Sequence, residues 1–68
     1  MQETEFARLI EAEFGPYQGP FIVNNHVVRE FGRTPKELLE QGEDLRQVWW
    51  ALCDDFDIPE DRRLGPDE

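Results

Sequence analysis

Cysteine is almost missing from this chain: its 68 residues include one, Cys53. A single cysteine excludes a disulfide framework within the chain and fits a reducing compartment. Histidine is equally scarce, with His26 alone. One Cys and one His fall short of the three or four ligands at fixed spacing that a zinc site needs, so no metal and no cofactor is expected. Basic residues are few, seven against sixteen acidic ones, for a formal net charge of −9. That charge repels phosphate backbones and anionic membranes on average. Long apolar runs are also missing. The longest, "FIV" and "WWALC", are too short to span a bilayer. The opening "MQETEFARLI" has neither a basic n-region nor a long apolar stretch. A cytoplasmic protein without a signal peptide is expected. There are no internal repeats and no low-complexity segments.

What is present is helical periodicity cut by Gly and Pro at "FGPYQGP", "FGRTP", "EQGED", "DIPE" and "LGP". The first helix is expected from Thr4, its N-cap, to Phe14, with Phe6, Leu9, Ile10 and Phe14 on one face. "GPFIVNNHVVREFG" is framed like a helix, with Pro20 at the first position and Gly32 past the end. Its β-branched residues also allow a small hairpin turning at Asn24 and Asn25. The weak Asn-Asn turn and the poor stability of a lone hairpin favour helix. Phe21, Val27, Val28 and Phe31 then share a face, with Asn24 in its middle. "TPKE" is a capping box in which Thr34 caps, Pro35 opens the helix and Glu37 reaches back. Asp44 caps the next helix. There Leu45, Val48, Trp49, Leu52, Cys53 and Phe56 recur at the clearest helical spacing in the chain. "PEDRR" predicts one more turn, and residues 65–68 a frayed tail.

The stretch "VWWALCDDFDIP" sets the only thiol among aspartates. A nucleophilic cysteine needs a base and a setting that favours thiolate, whereas Asp54 and Asp55 oppose it. Cys53 therefore reads as a small buried apolar residue. Asp54, Asp55 and Asp57 point to several sides of a helix and form no calcium loop. His26, placed on a helix, faces away from Val28 and lies near Glu30, so it reads as a surface residue and not as a general base. No catalytic residue is assigned. Trp50 lies off the apolar stripe, flanked by Arg46 and Asp54. It either anchors an interface or packs under another segment. Arg33, beside the start of the "TPKE" helix, is a weak anion site.

The run "HVVREFGRTPKELLEQGEDLRQVWWALCDDFDIPEDRR" resembles a family of short actinobacterial proteins known only as a domain of unknown function. Its pattern is a "TEF" helix with an "FG" stop, a "DHV" segment, "GRT", a short Gly-Asp/Glu connection, and "VW-x-ALC-x-x-FDVP" followed by arginines. The resemblance runs from Thr4 to Arg63 and is most specific from Val48 to Pro59. Asn25 stands where the family carries Asp, so an Asp–His pairing there is lost. Trp50 stands where a basic residue is common, and Gly19-Pro20 interrupts a helix-friendly segment. The connection before Arg33 is one residue shorter. The resemblance implies a compact cytoplasmic helical protein with a weak genetic link to recombination or repair. It supplies no activity and no catalytic residues.

The sequence thus predicts an all-α domain over residues 1–64, of about four short helices, with the helix at 45–57 central to the core. The expected function is non-enzymatic, a protein-interaction or regulatory module with a protein partner. Trp50, Arg46, Arg33, Lys36 and Arg29 are the candidate contact residues. The alternative is nucleic-acid binding by a helix-turn-helix, or a regulator whose acidity mimics DNA.

Overall fold

The computed structural model describes residues 1–64. The tail expected at 65–68 lies outside them. The architecture is all-α, as expected: α1 (Glu3–Asn25), α2 (Pro35–Glu40), α3 (Leu45–Asp55) and α4 (Glu60–Arg63). No strand occurs among the described residues. A single β-bridge joins Val28 to Arg33.

α1 is two helical arms, 3–14 and 16–25, hinged at Gly15. The hinge has φ 89° and ψ 169°, outside helical space. That region is open essentially to glycine alone. The reversal it creates is sharp. A straight helix would hold Ile10 and Gly19 about 13 Å apart. Here a Cβ on Gly19 would lie 3.0 Å from Cγ2 of Ile10. The missing side chain at Gly19 lets the second arm lie on the first. The helix starts one residue before the expected cap. Gln2 is the N-cap without a side-chain bond, and Glu3 and Glu5 occupy the first turn, where carboxylates favour the positive end of the helix dipole.

The second arm corrects the sequence reading. The segment is helical and not a hairpin, but it runs over 16–25 instead of 20–31. Pro16 follows the Gly15 break and suits the start of a new helix, since its missing N–H costs nothing there. Pro20 lies inside the arm. Asn24 and Asn25 end the arm by turning their amides onto the Pro20 and Phe21 carbonyls, at 2.7 and 3.0 Å. Asn24 is exposed and needs no buried partner. Phe21 and Val27 are exposed too, at 65% and 54%, so they do not share a buried face with Val28. The chain then turns through 28–33. Val28 is fully buried, its N–H donates to the Arg33 carbonyl at 2.9 Å, and its carbonyl accepts from Gly32 at 2.7 Å.

The next two helices follow the predicted chemistry. Thr34 and Glu37 close a reciprocal capping box. The last turn of α2 ends in a pair of bonds, Glu43 N–H to Leu38 and Gly42 N–H to Leu39, the usual left-handed helix stop. Asp44 caps α3 through the Arg46 N–H at 2.9 Å. α3 ends in the same kind of stop, with Ile58 N–H bonded to the Cys53 carbonyl at 3.0 Å. Asp57 takes the left-handed position, with φ 54°. The helix therefore stops two residues before the predicted 57. Leu45, Val48, Trp49, Leu52 and Cys53 are buried as expected, and α3 packs against α1 and α2. Phe56, just past its end, sits at the rim at 39% exposure.

Gly15→Ala should lower the unfolding free energy by about 1–3 kcal/mol, the cost of a side chain in this backbone region. An added Cβ would meet nothing within 4 Å, so the loss measures backbone strain alone. A urea midpoint unchanged by Gly15→Ala would contradict the hinge.

Candidate functional site

The carboxyl end of α3 concentrates negative charge. Asp54 and Asp55 lie in its last turn, which holds no basic residue, and the helix dipole adds to them. Cationic and N–H donors from other elements answer on both sides. From the loop after α1, His26 Nε2 lies 2.8 Å from Asp55 Oδ2, and the Arg29 backbone N–H donates to the same oxygen at 3.0 Å. The Arg29 guanidinium stands 3.8 Å from the other oxygen. From α4, Arg63 Nη1 bonds Asp54 at 2.7 Å. The Asp55 side chain is only 7% exposed, so its partners are required; a buried carboxylate without donors is costly.

This overturns the surface reading of His26. The residue lies outside the helix and is half-buried. It bonds a carboxylate 29 residues away and not Glu30. Its ring also packs on Phe56, with centroids 4.8 Å apart, and Phe56 meets Phe14 edge-on at 5.2 Å. Asp55 thus supplies the acidic partner that Asn25 does not. Nothing in the sequence pattern marks that pairing, because the contact is purely tertiary.

A His–carboxylate pair can serve acid–base chemistry only beside a reacting group. The chain contains no serine. The Thr34 hydroxyl is engaged with Glu37. Cys53 is fully buried, and its thiol is pushed up from 9.0 to about 11. Burial is the main cause. The nearby Arg63 charge opposes it, while Glu13 and Asp54 add to it. Removal from water thus outweighs the neighbouring aspartates, which the sequence alone brings to the fore. Among the described residues no group of three or more His, Cys, Asp or Glu side chains is placed to hold a metal. No helix among them is long and apolar enough to cross a membrane.

The second region centres on the tryptophans. Trp49 is 1% exposed, meets Phe6 edge-on at 6.4 Å and donates its Nε1–H to the Arg63 carbonyl at 2.7 Å. Trp50 is half-buried, with the Arg63 guanidinium 5.0 Å above its ring, a cation–π contact. Of the two alternatives for Trp50 the packing one is seen: the ring lies partly buried against the core and beneath Arg63. Arg62 bonds Glu13 at 2.8 Å, so α4 is clasped to both α1 and α3. Of the residues singled out in the sequence, Arg46 and Trp50 line one small pocket with Arg8 and Arg63. Arg29 instead bears on Asp55. Arg33 and Lys36 are exposed near the start of α2, where Thr34 donors and Arg33 hold the Glu37 carboxyl below its ordinary value.

Replacing Asp55 with Ala should cost about 1–3 kcal/mol, because the His26 ring and the Arg29 N–H lose their acceptor. A double-mutant cycle with His26→Ala should give a coupling of about 0.5–3 kcal/mol; strict additivity would deny the pair. Cys53 should resist thiol reagents in the folded chain. Its folded pKa is raised, so its contribution is complete below pH 9.0 and lost as pH climbs through about 11. Wild type should therefore lose about 2 kcal/mol more than Cys53→Ala across that window. Parallel pH profiles for the two proteins would contradict this.

A stretch of 42 residues, 60% of this chain, is 45% identical to the "Putative envelope-preserving system protein Rv2742c" of Mycobacterium tuberculosis. The chain spans only 14% of that protein's length. No solved structure matches the chain. The match that covers the fold is to a family model, "Protein of unknown function (DUF3046)", over residues 1–61, which takes in both arms of α1, the His26–Asp55 contact and all of α3. The chain belongs to the DUF3046 family.

Proposed function

We propose that the chain is a non-enzymatic regulatory module that works in the cytoplasm by binding another protein. One observation carries the reading, the division between inside and outside. The thiol is buried, and the histidine is bonded to Asp55. Large apolar side chains remain outside, with Tyr17 at 91% and Phe21 at 65% exposure on successive turns of one arm. Exposed aromatics are typical anchors of protein interfaces. The half-open Trp50 with Arg46 is a contact surface in this reading, and the exposed Arg33 and Lys36 are subsidiary ones. The mycobacterial relative, whose name places it in an envelope-preserving system, carries the matching stretch within a much longer protein. That suits a module operating beside other protein parts. Direct nucleic-acid binding has less support, since the net charge is −9. An acidic regulator that competes with DNA for a DNA-handling protein remains a special case of the same module.

The test is affinity capture from the native cell with cross-linking and mass spectrometry, run on wild type and on a Trp50→Ala, Tyr17→Ala, Phe21→Ala variant. A discrete protein recovered by wild type and lost severalfold by the variant is expected. Equal recovery by both, or turnover of a substrate by the purified chain alone, would overturn the reading.

A further inference from the structure

We propose that the groove between the two arms of α1 and the flank of α2 takes a basic amphipathic helix from a partner protein. The proposal rests on the reading that the chain binds protein, and names the site and the chemistry of its occupant. The groove encloses about 350 Å³. Phe6, Ile10 and Leu39 lie along it, and Pro20 and Val23 line it from the second arm. Val23 and Leu39 are only partly covered by the core. One rail is Glu3, Ala7 and Glu11, which follow one another at i, i+4 and i+8 and so form a single stripe of the first arm. Its centre is the small Ala7, and its ends are carboxylates about 12 Å apart along the helix. Among the described residues no basic one lines the groove. On the far side the apolar surface continues. Tyr17 and Phe21 neighbour Pro20 and Asn24 around the second arm, and both are exposed. The Asn24 amide is already bonded to the Pro20 carbonyl.

An occupant that fits must match both features. Apolar side chains at i, i+3 and i+4 fill a groove of this kind. Lysine or arginine two turns apart, on the flank of that stripe, would meet Glu3 and Glu11. An acidic segment would meet like charge at both ends of the rail, and a uniformly polar one would leave the apolar lining unfilled. A second copy of this chain is a poor occupant, because its net charge is −9.

The experiment uses the isotope-labelled chain and a synthetic helical peptide. The peptide carries leucines at i, i+3, i+4 and i+7 and lysines two turns apart beside them. The control peptide has the same composition with the leucines scattered. NMR shifts are expected at Ala7, Ile10, Val23 and Leu39 with the first peptide only. Binding should weaken about tenfold in a Glu3→Gln, Glu11→Gln variant, as expected from losing two exposed ion pairs. It should be lost in Ala7→Arg, which plugs the rail and repels lysine. A Glu30→Gln, Glu60→Gln variant, equal in charge and remote from the groove, should bind like wild type. Circular dichroism on each variant checks the fold. Equal binding of the scattered peptide, or equal weakening in the remote variant, would reduce the effect to general charge attraction and overturn the site. Absence of binding would overturn it as well. None of these results touches the broader reading, which the capture experiment judges separately. A chain that dimerises through the same residues without peptide would also overturn the proposed occupant.

Discussion

The carboxyl end of α3 is the point on which the rest of the structure depends. A helix that buries Val48, Trp49, Leu52 and Cys53 must end somewhere, and this one ends in two aspartates at the negative pole of its dipole. Left alone, that end would repel itself. The chain answers by bringing donors from both directions. The loop after α1 supplies His26 and the Arg29 N–H to Asp55, and α4 supplies Arg63 to Asp54. The electrostatic demand of one helix end thereby fixes the path of two other segments. Apolar contacts accompany each bond: Phe56 between His26 and Phe14 on one side, Trp50 under Arg63 on the other.

Trp49 converts that arrangement into a core. Its ring fills the space beside Phe6, and its indole nitrogen would be an unsatisfied buried donor without the Arg63 carbonyl. α4 is four residues long and could not persist as an isolated helix. It is held by contacts to other elements through Glu13, Asp54, Trp49 and Trp50. In a domain of this size, where a hydrophobic core contributes little margin, such polar clasps close what area burial leaves open.

Much of this was legible in the residues. The Thr34 capping box, the Asp44 cap and the register of α3 all follow local rules, and local rules decide short capped helices. The all-α class followed from them. The second arm of α1 defeats local rules: Pro20 and Gly32 frame a plausible helix, but the start is set by the Gly15 hinge and the end by Asn24 and Asn25 bonding backward. The His26–Asp55 contact was illegible for a different reason. It joins segments 29 residues apart, and only the folded path of the chain brings them together. The burial of Cys53 follows from its place on the apolar stripe, whereas the dominance of desolvation over the adjoining aspartates depends on the packed core. Local spacing places Trp50 off the apolar stripe but does not show that Arg63 of α4 covers its ring.

The two adjacent tryptophans therefore differ in burial: Trp49 is sealed in the core and bonded to Arg63, while Trp50 is only partly covered. The most direct measurement is hydrogen exchange at the two indole N–H groups, followed by NMR. The Trp49 indole, bonded to Arg63 and buried, should exchange only through opening of the core, orders of magnitude more slowly than the half-exposed Trp50 indole. Equal exchange rates at the two indoles would contradict the clasp between α3 and α4.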